Sequence, residues 1–301
     1  MTATTTALAR ERSEARGSAP IKRTMSRRKL TAAIVSTIVL LVIAIVWFAP
    51  FIVLLFTSIR SAADFAQNGP LALPNSFTLD NFVRSWGEGL FSDTYRNSVI
   101  ITIVKVPIGV LISAMLAFAL AKLRMFGRKT VMFAVFLGLT VPIYITLVPL
   151  FGIVKDLGLI DNVFGLLGPY LAFGIPFEVL VLHSFFRRVP EEVFEAARID
   201  GAGNWRIFFQ VMIPLSLPAL VTVAILDAVA TWNELLMALI LLNSDQNKTL
   251  PLGLLNFSGQ FGTDYTGLAA GILIAVIPML IAYAVLQRWI VSGLTAGAVK
   301  G

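Results

Sequence analysis

The 301-residue sequence has no cysteine and a single histidine, His183. Disulfides, thiol nucleophiles and cysteine-ligated metals are therefore excluded, and one histidine alone does not make a metal site, because such sites need several converging ligands. No phosphate-binding G-x-x-x-x-G-K-[ST] loop occurs, so we do not expect the chain to hydrolyse ATP itself. We predict that it has no catalytic residue, no metal and no cofactor of its own, and that it is not an enzyme.

Charged side chains are scarce, at 14% of residues, compared with about a quarter in ordinary soluble domains. The chain is instead 57% hydrophobic, with a mean hydropathy of +0.84. Several windows exceed the ~18 apolar residues that mark a transmembrane helix. They lack strand-like alternation, which predicts helices and excludes a barrel. We expect an all-α membrane protein with six spans, at Leu30–Phe56, Ser98–Ala121, Thr130–Gly152, Val163–Phe186, Met212–Leu242 and Leu268–Ile290.

Lysine and arginine are distributed unevenly among the predicted loops. Eighteen lie in the N-terminal tail, the second and fourth loops and the C-terminal end, whereas five lie in the loops on the opposite side. Because positive residues accumulate on the cytoplasmic side, both termini and the fourth loop are predicted to be cytoplasmic. The net charge of +7 is concentrated beside the spans, where it can meet anionic lipid headgroups. We therefore expect a membrane and not a nucleic acid as the partner of these charges.

The predicted spans divide the chain into a membrane domain and two tails. Residues 1–29 lack apolar periodicity and are expected to be a disordered basic cytoplasmic tail. Residues 30–290 form the six-helix domain, and residues 291–301 form a cytoplasmic C-terminal tail. Two external loops, 57–97 and 243–267, are long enough to carry recognition. The first is expected to include a short helix along the membrane surface, and a merely solvated connector is the alternative for the second.

The most distinctive polar segment is Glu191–Pro214, which separates two apolar runs and is longer than a turn between spans requires. Ala196 and Ala197 favour a helix, Gly201 permits a tight turn and Pro214 suits the start of the next element. The segment, within the cytoplasmic loop 187–214, is therefore predicted to fold as helix, turn and helix. Such a knob is suited to docking into a groove of a partner. On composition alone, a solvated surface is the alternative.

Ionisable side chains inside the predicted spans are costly and are therefore candidates for function. Asp227, Thr231 and Glu234 recur at helical spacing in the fifth span, next to Asn233, and predict one polar helix face. One hypothesis is a translocation path that offers hydrogen bonds to a hydroxyl-rich solute. The other is a buried pair between Lys105 and a carboxylate that holds helices in register. Further candidates without an assigned role are Glu178 and His183.

The pattern Glu195-Ala196-Ala197, three residues, Gly201, nine residues and Val211-Met212-Ile213-Pro214 resembles the EAA loop of ABC-importer permeases, EAA-x3-G-x9-I-x-LP. Val211 and Ile213 are mild apolar replacements within that pattern. The resemblance covers the chain from about Leu30 to Gly301 and is to carbohydrate-importer permeases of the maltose-transporter G-subunit type. Supporting stretches are LGLID at 157–161, PYLAFG at 169–174, SFF at 184–186, TWNE at 231–234 and GLTAGAVKG at 293–301.

This resemblance implies six helices of the type I ABC importer permease fold in a bacterial inner membrane. It also implies that the chain forms half of the translocation path for a sugar or oligosaccharide. The implied partners are a second, different permease chain, an extracytoplasmic solute-binding protein, and two cytoplasmic ATPase subunits that bind ATP and Mg. The ATPase-coupling residues would be Glu195, Ala196, Ala197, Asp200, Gly201 and Pro214.

The resemblance also assigns roles to the C-terminus and to an external loop. The small, glycine-rich tail is not expected to form a stable helix, and it would run between the ATPase subunits through Thr295, Ala296, Gly297, Lys300 and Gly301. The binding-protein contact loop would comprise Phe257, Ser258, Gly259, Gln260, Phe261 and Gly262. In the maltose-like arrangement the partner permease contributes much of the sugar site, which weakens the case for direct substrate contact by Asp227 or Glu234.

Two functions of other classes remain open at this point. An ion-coupled secondary transporter would use the intramembrane carboxylates for ion coupling and would work without ATP. A membrane scaffold would dock through the Glu191–Pro214 knob and transport nothing. No residue of the sequence identifies a particular sugar.

Overall fold

The structure, a computed structural model, describes residues 27–259 and 262–298. Most of them are helical, which confirms the all-α prediction. The helices are α1 Arg27–Ser58, α2 Ala62–Asn68, α3 Asp80–Glu88, α4 Phe91–Lys122, α5 Arg128–Thr140, α6 Ile143–Asp156, α7 Leu167–Phe186, α8 Glu191–Ile199, α9 Asn204–Ile207, α10 Ile213–Leu215, α11 Leu217–Trp232, α12 Leu236–Leu241, α13 Leu250–Leu254 and α14 Tyr265–Ala298. Short 3₁₀ turns occupy Val163–Leu166, Asp245–Asn247 and Leu255–Phe257, and a π-helical turn occupies Phe208–Met212.

A small antiparallel hairpin follows α13. Strand β1 is Ser258–Gly259 and strand β2 is Gly262–Thr263, with Ser258 paired to Thr263. The end of the bundle that carries α2, α3, α13 and this hairpin is called the hairpin end. The knob end is the opposite end, which carries α8, α9 and α10. Helix α4 connects the two ends, since it begins beside α3 and ends beside α8.

Within the described residues, four helical segments are long and apolar enough to cross a membrane. They are Ile34–Ser58, Phe91–Lys122, Val163–Phe186 and Tyr265–Val285, in agreement with the first, second, fourth and sixth predicted spans. Two further segments are long enough only if two helices separated by a sharp bend are counted as one span. If both are counted in this way, the number of spans is six. The six-span count and the orientation of the termini stay predictions.

The first helix and its flank modify one expectation. Helix α1 begins at Arg27, so residues 27–29 are helical and not part of a disordered tail. Residues 1–26 lie outside the described residues. Between Ile34 and Ile52 every side chain is exposed and the sequence is apolar all round, as in a helix surrounded by hydrocarbon.

The third predicted span, Thr130–Gly152, is wrong as a continuous helix. Helices α5 and α6 differ in direction by 102°. The break follows from Pro142, which cannot donate a backbone hydrogen bond and which disfavours a helical conformation at Val141. Val141 accordingly has an extended backbone, with ψ of 114°.

The fifth predicted span, Met212–Leu242, is also wrong as a continuous helix. Ser216 leaves helical geometry, with φ of −101° and ψ of 7°, and Pro218 lies in the first turn of α11. The chain bends by 78° at this break. Helix α11 ends at Trp232 and α12 starts at Leu236, so a second interruption follows sixteen residues later.

The C-terminal segment contradicts the expectation of a non-helical tail. Helix α14 continues through Gly293 and Gly297 to Ala298. The long preceding helix is already formed, so each added residue gains a backbone hydrogen bond without the cost of nucleation. This gain outweighs the ~1 kcal/mol by which each glycine disfavours a helix interior.

Two apolar clusters hold α4, α7 and the elements around them together. One lies toward the knob end and includes Phe118, Leu182, Phe186 and Phe194. The other lies toward the hairpin end and includes Ile101, Leu166, Tyr170 and Leu241. Charged side chains lie between these clusters, in the middle of the bundle.

Candidate functional site

Helix α8 of the knob is attached to the bundle through the ring of Phe194 and the ammonium group of Lys122. Phe194 is 1% exposed, and its ring centroid lies 6.4 Å from that of Phe118 on α4. The Lys122 ammonium lies 4.7 Å from the centre of the Phe194 ring, within the range of a cation–π contact. It also donates to the Val189 carbonyl at 2.7 Å and to the Glu191 carboxylate at 3.2 Å. These contacts join the start of α8 to the end of α4.

The predicted coupling residues lie on the outer side of this attachment. Glu195, Ala196, Asp200, Gly201 and Pro214 are exposed, and Ala197 is half-buried. The local prediction of helix, turn and helix is confirmed by α8 and α9.

Gly201 makes the turn between these helices. Its φ is +78°, and its N–H donates to the Arg198 carbonyl at 3.0 Å. No atom lies within 4 Å of a Cβ built on it. Glycine is therefore needed for the left-handed backbone and not for space.

The knob also exposes aromatic side chains that the sequence interpretation missed. Trp205 and Phe209 stack with ring centroids 6.1 Å apart, and both are exposed, whereas the intervening Ile207 and Phe208 are buried. The four-residue spacing of Trp205 and Phe209 is the signal that could have placed them on one helix face. A cavity of about 300 Å³ lies beside Trp205, between α9 and α4.

Three charged side chains from three helices meet in the middle of the bundle. Lys105 on α4, Glu178 on α7 and Asp227 on α11 are 2%, 1% and 6% exposed. The Lys105 ammonium contacts Asp227 Oδ1 directly and lies 3.4 Å from Glu178 Oε1. Ser113 Oγ donates to Glu178 Oε2 at 2.8 Å. The buried pairing of Lys105, one of the two hypotheses above, is thus present, and Glu178 is an additional member.

The other predicted path residues do not join this site. Thr231 is buried one turn after Asp227 on α11. Glu234 lies beyond the end of that helix, so the prediction that these three residues share one helix face is wrong for Glu234. The exposed Asn233 side chain donates to the Val229 carbonyl at 2.8 Å and caps α11.

The carboxylate of Glu234 has a local structural role. It accepts the backbone N–H groups of Met237 at 2.9 Å and Ala238 at 3.2 Å, and the Tyr170 hydroxyl at 2.8 Å. It therefore caps α12 and links that short helix to α7.

The predicted binding-protein contact loop has one buried residue and several exposed ones. Phe257 is buried with Phe91 and Trp232. Its side chain is therefore not available for the predicted contact with a binding protein, and instead anchors the loop to the bundle. Ser258, Gly259 and Gly262 are exposed on the hairpin. The remaining two predicted contact residues, Gln260 and Phe261, lie outside the described residues, as do Lys300 and Gly301.

The loop 57–97 is organised by Arg60, a residue that sequence reasoning left without a role. Its guanidinium is fully buried and donates to both carboxylate oxygens of Asp64 and to the carbonyls of Gly69 and Ala72. The hydrogen bonds from Arg60 are the main reason that the pKa of Asp64 lies well below its usual range. Burial acts to raise this pKa, whereas hydrogen bonds from Asn68 and from backbone N–H groups lower it further. One short helix was predicted in this loop, and the structure has two, α2 and α3.

Asp161 joins the loop before α7 to the loop after α12. Its carboxylate accepts the backbone N–H groups of Asn243 and Ser244, each at 2.8 Å, and the Ser244 hydroxyl. Burial acts to raise the pKa of Asp161, but these hydrogen bonds outweigh it and lower the value to about 2. Among the described residues, no group of three or more His, Asp or Glu side chains is placed to hold a metal ion.

Comparison with known proteins gives matches over most of the chain. A family model described as "Binding-protein-dependent transport system inner membrane component" matches residues 109–296. The chain is 34% identical to the diacetylchitobiose uptake system permease protein NgcG of Streptomyces coelicolor, over 89% of this chain and 89% of that protein. It is 38% identical to the trehalose transport system permease protein SugB of Mycobacterium tuberculosis, over 76% of this chain and 84% of that protein.

One solved structure is similar over nearly the whole described fold. It is a chain of a bacterial ABC transporter involved in the import of the acidic polysaccharide alginate. The TM-score is 0.76 at 28% sequence identity, and the match covers 89% of this chain and all of the other.

Proposed function

The chain belongs to the family of binding-protein-dependent transport system inner membrane components, and from that premise we propose that it is the permease subunit of an ATP-driven importer for a sugar or oligosaccharide. The names of two relatives support the solute class, since one is a diacetylchitobiose uptake permease and the other a trehalose transport permease. The chain would form half of the translocation path, together with a second, different permease chain in a bacterial inner membrane.

The knob would couple this permease to two cytoplasmic ATPases, which bind ATP and Mg. The observation that carries the proposal is the division of α8 into a buried face and an exposed one. Glu195 and Asp200 are exposed on the outer side, where basic groups of an ATPase groove could pair with them. Phe194 of the same helix contacts Phe118 on α4, and through this contact a movement of the knob would reach the bundle. Closure of the ATPases on ATP would thus bias the permease between its inward-open and outward-open states.

The hairpin end would face the solute-binding protein. Ser258, Gly259 and Gly262 are exposed there on a turn mounted beside the buried Phe257, and this arrangement supports a contact role for the hairpin including Gln260 and Phe261. The C-terminal residues would form a second contact with the ATPases. These residues include Thr295, Ala296, Gly297, Lys300 and Gly301.

The test is Glu195→Ala in the assembled importer, reconstituted in proteoliposomes with its binding protein. Loss of an interfacial carboxylate that pairs with a buried cation costs roughly 2–5 kcal/mol, so we expect uptake and solute-stimulated ATP hydrolysis to fall at least about tenfold. Gly201→Val should have a similar effect, because a β-branched side chain strains the left-handed backbone at this turn. Asp156→Asn, which changes an exposed carboxylate at the end of α6, is the matched control. Normal uptake in both knob variants would contradict the proposed coupling.

Assembly separates this function from the alternatives. An ATPase and a second permease that co-purify with the chain support the importer. Uptake by the chain alone without ATP would indicate an ion-coupled transporter, and stable docking without any uptake would indicate a scaffold.

A further inference from the structure

The Lys105–Glu178–Asp227 cluster, here the three-helix junction, contains one cation and two carboxyl groups. All three side chains are at least nine-tenths buried. If all were ionised, the junction would carry a net charge of −1 in the middle of an apolar bundle. A buried ion without a partner is costly, and such a group usually becomes neutral instead.

The hydrogen bonds of the junction leave one carboxyl group without full compensation. The single ammonium group of Lys105 contacts Asp227 Oδ1 and is 3.4 Å from Glu178 Oε1. Glu178 Oε2 accepts from Ser113 Oγ. The second oxygen of Asp227, Oδ2, is buried and has no hydrogen-bond partner among the residues that the structure describes. One lysine therefore serves two carboxyl groups.

In the part of the chain that the structure describes, no further charged side chain pairs with this cluster. Within one helical turn of Lys105, Glu178 and Asp227, the sequences of α4, α7 and α11 contain no further Lys, Arg, His, Asp or Glu. Helix α14, which packs against α11, has none between Tyr265 and Val285. Helix α5 passes α7 where Gly138 meets Pro176, far from the charged residues at its start. His183 lies more than one turn after Glu178 on α7.

Two glycines allow the charged groups to approach the helix backbones closely. A Cβ built on Gly174 would lie 2.5 Å from Lys105 Nζ and 3.0 Å from Glu178 Oε1. A Cβ on Gly109 would lie 3.2 Å from the same Glu178 oxygen. The two glycines thus make room for the charged groups themselves, and a proton can bind to a carboxylate oxygen there without any additional cavity.

We propose that the three-helix junction is a proton-binding site, in which Glu178 and Asp227 share one proton at neutral pH. With that proton the junction has one ammonium, one carboxylate and one carboxylic acid, and is neutral. The proton is retained and not transported, so it fastens α4, α7 and α11 to one another through the transport cycle. The inference concerns the permease chain itself and does not depend on which solute is carried.

Infrared difference spectroscopy on the purified protein in lipid nanodiscs, with the subunits that co-purify, tests the charge balance directly. The readout is the carbonyl stretch of a protonated carboxyl group, which is separate from carboxylate bands and shifts in D₂O. We expect this band to disappear at neutral pH in Glu178→Gln and also in Asp227→Asn, because either variant leaves one carboxylate for one lysine. Lys105→Met should instead increase the band about twofold, since two carboxyl groups then lack a cation. Asp156→Asn, the matched control, should leave it unchanged.

Loss of the band in only one carboxyl variant, its survival in both, or its absence from the unmodified protein would overturn the proposal. Thermal unfolding is the second readout, in case Lys105→Met does not fold. The native junction holds a proton that the unfolded chain releases above about pH 4, so the unmodified protein should lose stability as pH rises. The melting temperature of Glu178→Gln, relative to the unmodified protein, should therefore increase steadily from about pH 5 to about pH 7. A constant difference would equally overturn the proposal.

Discussion

The hairpin end and the knob end of the bundle use polar side chains in opposite ways. At the hairpin end, Arg60 and Asp64 are buried together, and Arg84 is 2.7 Å from Asp264, so charged groups hold loops to one another. At the knob end, the rings of Phe194 and Phe208 are buried against the bundle, whereas the carboxylate of Glu195 is exposed. Polar groups that already have internal partners define a shape, and exposed polar groups remain available to another chain.

This difference also concerns mechanical properties. Hydrogen bonds to buried charges are directional, so the hairpin end has few alternative arrangements that keep its donors and acceptors paired. Aromatic packing tolerates small sliding movements, because dispersion and hydrophobic burial are not directional. We infer that the hairpin end is the more rigid of the two, as suits a platform, and that the knob can adjust while it remains attached through Phe194.

The largest expected effect is that of Arg60→Ala at the hairpin end. The variant would leave the buried Asp64 carboxylate without its cation and would remove donors to the carbonyls of Gly69 and Ala72. Breaking a buried ion pair from one side is strongly destabilising. We expect the melting temperature to fall by on the order of 10 °C and the loop 57–97 to become sensitive to proteases.

The matched control is Arg96→Ala, which removes an arginine of the same end whose 3.4 Å contact with Asp93 is exposed. Exposed ion pairs contribute between 0 and about 1 kcal/mol, so its melting temperature should change by a few degrees at most. Equal effects of the two variants would show that burial of polar groups does not distinguish the hairpin end.

A smaller and more local effect is expected for Phe194→Ala at the knob end. Removal of a buried aromatic side chain costs roughly 3–5 kcal/mol, but here it loosens one helix and not the bundle. Amide hydrogen exchange in α8 should accelerate about a hundredfold or more, while exchange in α4 and α7 changes little. Phe209→Ala, which truncates an exposed ring of the same knob, should leave α8 protected. Loss of protection throughout the bundle would contradict local attachment.

The membrane helices show what hydropathy can and cannot predict. The fold class is confirmed by the similarity to a solved ABC importer chain, and long apolar runs located the continuous spans well. The breaks at Pro142 and Ser216 were missed because proline alone does not decide them. Pro107, Pro176 and Pro278 all lie inside unbroken helices, where neighbouring packing compensates for the lost hydrogen bond.

The candidate site was predictable where it depends on local sequence. The spacing from Glu195 to Gly201 specified the knob, because a helix and its turn are set by neighbouring residues. The pairing of Lys105 could be predicted from the free-energy cost of burying an unpaired charge. That its ammonium group contacts both Glu178 and Asp227 could not be predicted, because those residues are 73 and 122 positions away in the sequence. Likewise the burial of Phe257 depends on Phe91, which lies at the start of α4 and is distant from Phe257 in the sequence.

The smallest expected effect is that of Asp161→Asn, which tests whether charge at the hairpin end also acts between loops. Because the folded pKa of Asp161 is lowered to about 2, its carboxylate contributes stability above the unfolded pKa of about 4, and that contribution is lost as pH falls through the folded value. The side chain is partly exposed, so we expect less than about 1 kcal/mol at neutral pH. Asparagine tolerates the positive φ of 58°, so the variant removes charge without straining the backbone. The difference in melting temperature from the unmodified protein should shrink between about pH 4 and about pH 2, while Asp156→Asn shows no such trend. A difference that persists undiminished to about pH 2 would mean that shape and not charge joins the two loops.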